Sequence, residues 1–455
     1  MDDGSCNNDY QLYIPGRNGP LQAAQNQAQK SRPCCHRHHF HLNLYSARGN
    51  GHNRLWQGGV LSRAYFQFCP SFSHVYRSSI FKERGCGALR TVKLAWLLII
   101  VLILGGCWDE RLLKNSRLVY ISAFDLSEDG KYKTTSIIRN TTKVPNPQQE
   151  ATNEIAKGEG LNIRDTRLTL NRSLAGEFDP SKSKVLILGE ELAKRDIYTV
   201  LDIVYRIPRT PIIAKVALAD GSAGAMLAEN HKNEPLLGEF LYELLLNSEK
   251  STEIQELTVQ NICTILFDEG KDFMVPFIKN NDENKKIEVS GSALFHDRIF
   301  TGKVLTPEQS SLLLLFMDRM NKECRFAYKL SKGETVTFAV NKVKRDLHFT
   351  YNYGRAVFKA DLSIDINIEE YPLDHLHEKK IAEELAGEIS QKMSVDAKEI
   401  FGILKEEKAD LLGVGRELIA FHPDIWRNIK GSDYYEKVDV KSEVRIHISG
   451  NGIIN

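Results

Sequence analysis

The run Val185-Leu186-Ile187-Leu188 constrains the fold more than any other feature of the chain. Four consecutive aliphatic residues leave no polar face, so a strand made from them must be covered on both sides. Gly189 supplies the turn, Glu190 to Lys194 suits a short helix, and Ile197 to Tyr205 places Val200, Leu201 and Val204 on one face of a second helix. Pro208 and Pro211 end that helix, because proline lacks the amide proton a helix interior needs. "IIAKVALAD" then returns as a strand and "GSAGAMLAEN" opens another helix. Strands alternating with helices imply an α/β arrangement with a covered sheet.

Around this unit the pattern extends in both directions. Leu118 to Phe124 and Tyr132 to Ile138 read as paired strands about a turn at Gly130, followed by a Pro/Asn/Gln loop over Lys143 to Glu150. The segment "ATNEIAKGEGLNIRDTRLTLNRS" is expected to begin as a short helix and to end in a strand. Leu236, Leu237, Phe240, Leu241, Leu244 and Leu245 form the apolar stripe of a helix opened by Pro235. Asn280 to Lys286, "NNDENKK", is the most polar stretch in the region and is expected as a domain boundary.

The second half is more regular. "KIEVSGSALFHDRIFTGKVL" reads as a hairpin about His296-Asp297-Arg298, and Thr306-Pro307-Glu308 starts a helix carrying Leu312 to Met320. "ETVTFAVNKV" and "LHFTYNYG" are strands, and in "ADLSIDINIEEY" Leu362, Ile364, Ile366 and Ile368 alternate with polar residues. That period of two buries one face and wets the other. A long helix is expected from Asp374 to Lys405, with Ile381, Leu385, Ile389 and Met393 spaced by four. Shorter helices broken at Gly413-Val414-Gly415 and Pro423 follow, and "KVDVKSEVRIHISG" closes the chain as a strand. The expected fold class is therefore mixed α/β and α+β: an N-terminal α/β region over 107–282, and a C-terminal antiparallel sheet over 287–455 with helices on one face.

Ahead of all this lies a different signal. Arg90 and Lys93 precede eleven uncharged apolar residues, Leu94 to Leu104. That is the length of a signal-peptide core, well short of the roughly 20 residues a membrane-spanning helix needs. Leu104-Gly105-Gly106-Cys107 then reads as a lipobox, with cleavage after Gly106 and Cys107 as the lipidation site. The cut needs small side chains beside it, and the transferred diacylglyceryl group needs a thiol.

An export signal works when it leaves the ribosome first, yet 106 residues precede Cys107. Residues 1–88 carry ten Lys+Arg and four Asp+Glu, five of the eight cysteines, six of the thirteen histidines, and no sustained periodicity. They are read as an untranslated or disordered extension, with Leu89 as the start of a signal over 89–106. The competing reading is an 88-residue cytoplasmic extension. The tract "CCHRHHFH" (Cys34 to His41) lacks the spaced pairs of a structural zinc site.

A net charge of +1 argues against a nucleic-acid partner, and two cysteines beyond the lipobox, Cys263 and Cys324, exclude a dense disulfide framework. No zinc-protease, phosphate-loop or dinucleotide motif occurs. "DGSAG" fails the nucleophile-elbow pattern at Asp220. His375 and His377, two apart, would point away from one another on a helix, so no metal is expected there. No catalytic residue and no cofactor is assigned. Trp426 and Phe421 are the residues that could meet a partner, with core packing favoured over contact.

Four segments in order carry a family resemblance: "GCWDERLL", "VLILGEELAKRDIYTVLDIVYRIPRTP", "GSALFHDRIFTGKVL" and "DLLGVGRELIAFHPDIWRNI". Together they resemble the C subunit of bacterial spore germinant receptors, the Ger(x)C lipoproteins, from Cys107 to Asn455. The resemblance implies a non-enzymatic protein held by lipid on the outer face of the spore inner membrane. It also implies integral-membrane A and B subunits as partners. Two other classes are weighed: a solute-binding lipoprotein that delivers a small ligand to a transporter, which would show two similar α/β lobes about a cleft, and a surface enzyme, which the motif search disfavours.

Overall fold

The structure is a computed structural model describing residues 92–99, 115–139, 153–208, 210–232, 234, 236–352, 355–431 and 433–450. The lipobox, Gly106 and Cys107, the segment 1–88, the loop 143–150 and Pro235 lie outside the described residues. Residues 92–99 form an exposed helix, α1. Among the described residues no helix is long and apolar enough to cross a membrane.

A nine-stranded sheet dominates the first part. Its strands are β1 (Ser116–Leu126), β2 (Tyr132–Arg139), β3 (Asn153–Gly160), β4 (Glu177–Asp179), β5 (Val185–Gly189), β6 (Lys215–Ala219), β7 (Phe273–Asn280), β8 (Ile287–His296) and β9 (Ile299–Leu305). The order is β3-β2-β1-β5-β6-β7-β8-β9, with β4 beside β1. Strands β1, β5, β6 and β7 run parallel, and antiparallel hairpins flank them on both sides.

The parallel centre is covered on both faces, as its continuous apolar runs require. Leu186, Leu188, Val216 and Leu218 pack with α3 (Glu190–Ala193), α4 (Tyr198–Arg206) and α7 (Val259–Leu266). Val185, Ile187, Ala217 and Ala219 pack with α5 (Ala223–Asn230) and α6 (Leu237–Lys250) in a separate core. Alternate residues of one strand thus enter different cores. At the start of β6 the buried Lys215 is neutralised by the buried Glu249 of α6, 2.5 Å away.

One expectation changes here. Residues 153–173 fold in the opposite order to the one read, as β3 followed by α2 (Ile163–Ser173). The deciding signal is a cap: the Asn162 side chain accepts from the Asp165 amide, and the Asp165 carboxylate accepts from the Leu161 amide. This reciprocal pair fixes the helix start. Residues 280–286 form the turn that joins the antiparallel partners β7 and β8.

The second sheet has the order β10-β11-β12-β13: β10 (Arg325–Lys329), β11 (Thr335–Asn352), β12 (Arg355–Glu370) and β13 (Val438–Gly450). The first three are antiparallel, but β13 lies parallel to β12, a correction to the all-antiparallel expectation. The 28-residue helix α9 (Lys379–Glu406) crosses the sheet between them. A right-handed crossover through a helix delivers a parallel strand. Leu362, Ile364, Ile366 and Ile368 are buried as their alternation demands, and Leu385, Ile389 and Met393 of α9 meet them in one core. Met274, Leu294 and Leu305 of the large sheet belong to that same core.

Helix α8 (Pro307–Phe316) lies in this core, with every residue from Ser310 to Phe316 buried. Its start carries a full capping box: the Thr306 hydroxyl accepts from the Gln309 amide at 3.2 Å, and the Gln309 side chain accepts from the Thr306 amide at 3.1 Å. We expect Thr306→Ala to lower stability by about 1 kcal/mol. A urea midpoint equal to that of the unaltered chain would contradict this.

Candidate functional site

Two of the sequence segments singled out above, "GSALFHDRIF" and "DLLGVGREL", meet in space. The first is β8, the turn and β9. Asp297 and Arg298 both have positive φ, 46° and 70°, and His296 pairs with Ile299. This is the two-residue hairpin of the I′ kind, whose twist matches that of the strands. The second is the loop from Asp410 into α10 (Val414–Phe421), entered through Gly413 at φ 76°. A third segment, 268–272, leads into β7 at the same end of the large sheet.

Asp410 and Asp272 tie these three together. Asp410 is fully buried. Its Oδ1 accepts from the amides of Gly413 (2.8 Å) and Val414 (3.0 Å). Its Oδ2 accepts from the Gly415 amide (2.8 Å) and the Tyr434 hydroxyl (2.6 Å). Asp272 Oδ2 accepts from the Asp410 amide at 2.9 Å, while the Asp272 amide donates to the Asp410 carbonyl at 2.9 Å. Asp272 also holds His296 Nδ1 at 3.0 Å and accepts from the Asp297 amide at 3.2 Å. Outside this knot the Arg416 guanidinium pairs with Asp268, and the Arg416 amide donates to the Gly270 carbonyl.

The electrostatics follow from burial. Desolvation pushes the Asp410 carboxyl up to about 6, against the four donors that favour its ionised form. The hydrogen bond to Asp272 raises His296 above the ordinary imidazole value. Burial, with Arg416 nearby, lowers Lys271. A cleft of about 410 Å³ borders the joint, lined in part by Asp272, His296, Trp426 and Tyr434. Its described lining residues include no serine, threonine or cysteine. Among the described lining residues the one hydroxyl, that of Tyr434, is donated to Asp410. The arrangement locks segments together.

The two residues weighed for partner contact separate. Trp426, on α11 (Pro423–Ile429), is buried edge-on against Tyr434, with ring centroids 4.9 Å apart. Phe421, at the end of α10, is 69% exposed. The "DGSAG" segment proves to be a helix start: Ser222 caps α5, and the buried Asp125 accepts from the Ala223 and Gly224 amides at 2.9 and 2.7 Å. Cys263 and Cys324 are both free, and burial pushes the Cys324 thiol up to about 12. Sequence reasoning named Gly413 and Gly415 but did not pair Asp272 with Asp410, because the two lie 138 residues apart in the chain.

His375 and His377 correct another expectation. Helix α9 begins only at Lys379, so both lie in the turn before it, and the helical geometry that would separate them does not apply. Their ligand atoms and those of Glu378 fall within 4.8 Å of one another.

The fold and joint define a mixed α/β protein whose two sheets share a core and are tied through Asp272 and the buried Asp410. Residues 109–280 match the model of the spore germination protein N-terminal domain, and residues 290–452 match the spore germination B3/GerAC-like C-terminal model. The chain belongs to this family of spore germination proteins. It is 21% identical to spore germination protein B3 of Bacillus subtilis (strain 168) over 376 residues, covering 80% of this chain and 98% of that one. It is 20% identical to spore germination protein GerQC of Bacillus cereus, covering 79% of this chain and 99% of that one. The crystal structure of the GerBC protein superposes with a TM-score of 0.47 at 17% identity, covering 72% of this chain and 96% of that chain.

Proposed function

We propose that the chain is a lipid-anchored, non-enzymatic subunit of a spore nutrient germinant receptor. It would act with integral-membrane A and B subunits on the outer face of the spore inner membrane. The observation that carries the reading is positional. The family match begins at residue 109, two residues after the lipobox cysteine, Cys107. An anchor there leaves the whole matched body outside the bilayer. A diacylglyceryl group brings two acyl chains, and at about 0.8 kcal/mol per buried CH2 two chains hold where one is marginal.

The solute-binding alternative draws no support from the fold. The two sheets differ in strand number and topology, where that reading needs similar lobes.

Replacement of the anchor tests the proposal. Cys107→Ala should move the chain from the membrane fraction to the soluble fraction of spores and slow nutrient-triggered germination at least tenfold. Full membrane retention with unchanged germination would end the reading. Peptide mapping of the mature protein should find its first residue at Cys107, and peptides from 1–88 would contradict the assigned start. Phe421, exposed on α10, is proposed as part of the surface that meets the partner subunits.

A further inference from the structure

We propose that the turn between β12 and α9 is a metal site, in which His375, His377 and Glu378 hold one divalent transition ion of the zinc class. The three side chains each offer one ligand atom, all within 4.8 Å of one another. Donors placed about 2.0–2.2 Å from a shared tetrahedral ion stand about 3.3 Å apart. The proposal requires rotation about the exposed side-chain bonds to close that gap. All three side chains are exposed and, among the described residues, make no side-chain hydrogen bond or ion pair. The imidazole rings lie with centroids 5.9 Å apart.

The backbone holds this arrangement in place. Leu376, between the two histidines, is buried in the core beneath and pins the turn with both rings outside. The Asp374 amide donates to the Tyr371 carbonyl at 3.1 Å, and the Glu378 amide donates to the His375 carbonyl at 3.0 Å. Asp374 and His375 both adopt the left-handed region, φ 52° and 61°. Two consecutive non-glycine residues in that region cost roughly 1–2 kcal/mol each. Such local strain gathers where side chains must be presented in a set direction.

The surroundings suit a cation. His375 and Asp374 rim a cleft of about 230 Å³ that is also lined by Glu334, Glu384 and Glu388. Glu334 keeps a buried Oε2 with no hydrogen-bond partner. Behind burial, the same three glutamates raise the Tyr371 phenol. Two imidazoles select a borderline ion over calcium or magnesium, which prefer oxygen ligands alone, and water would complete the coordination.

The test is equilibrium dialysis of the full chain in detergent against Zn2+ alone. The reading is a difference between chains, so zinc held elsewhere on the chain cancels. The His375→Ala/His377→Ala double variant should bind one equivalent fewer than the unaltered chain, and Glu378→Gln should weaken that equivalent at least tenfold. A hundredfold excess of Ca2+ should not displace it. Because the replaced side chains are exposed, the metal-free melting temperature should be unchanged; if the double variant is unstable, Glu378→Gln decides alone. Equal zinc stoichiometry and affinity in the unaltered chain and these variants would overturn the site, and displacement by Ca2+ would overturn its assignment to the zinc class.

Discussion

Asp410→Ala should destabilise the folded chain by about 3–5 kcal/mol near pH 5, read as a lower urea midpoint at unchanged slope. Four donors, three buried and the Gly413 amide half-buried, lose their only shared acceptor, and each orphaned buried group costs roughly 1–3 kcal/mol. Relief of burying a carboxyl beside Asp272 offsets part of the sum. The effect should depend on pH in a definite direction. Asp410 titrates near 6 in the folded chain against an ordinary 3.8, so the folded state holds its proton more tightly than the unfolded state does. Its contribution is complete below the unfolded value and is lost as pH rises through about 6. His296, also raised, adds stability in the same sense, present below the ordinary imidazole range and lost above its folded value. The gap between the unaltered chain and Asp410→Ala should therefore narrow from pH 5 to pH 7.5. A gap under 1 kcal/mol at pH 5, or one that widens with pH, would refute the role given to this carboxyl.

Gly415→Ala should cost about 3 kcal/mol, the upper part of the usual overpacking range. A Cβ at residue 415 would lie 2.6 Å from the Gly270 Cα and 2.6 Å from the Tyr434 hydroxyl oxygen. One at residue 270 would lie 2.5 Å from the Arg416 amide nitrogen. The two glycines are back to back, and the other obstruction at residue 415 is the Tyr434 ring, which is buried and held by Asp410. Accommodation must lift α10 from the 268–272 segment and loosen the bonds to Asp410. Gly402→Ala, on α9, is the control. A Cβ there meets nothing within 4 Å, so better helix propensity should add about 0.5–1 kcal/mol. Opposite signs in one urea series are expected, and equal behaviour of the two variants would sink the argument.

Much of the fold could be read without coordinates. Val185 to Leu188 had to be covered on both sides, and alternate residues enter two different cores. The alternation from Leu362 to Ile368 gave the buried face of β12, and His296-Asp297-Arg298 marked the turn of a hairpin. The order of β3 and α2 was missed because a cap written as Asn162 and Asp165 was overlooked in a weakly periodic stretch. The candidate site was half legible: the glycines of "GVG" signalled a tight turn, while the aspartate they surround looked like one more polar residue.

The sequence by itself determined most of the strands and helices and which of their faces are buried. Period and turn chemistry are set within a few residues, so they survive in one dimension. Only the tertiary structure decided that β8 and β9 extend the large sheet, that β13 runs parallel to β12, and that Asp272 meets Asp410 across 138 residues. It also brought His375 and His377 onto a turn in place of a helix. Strand direction and the partner of a buried charge depend on which distant segments share a core, and no local pattern records that.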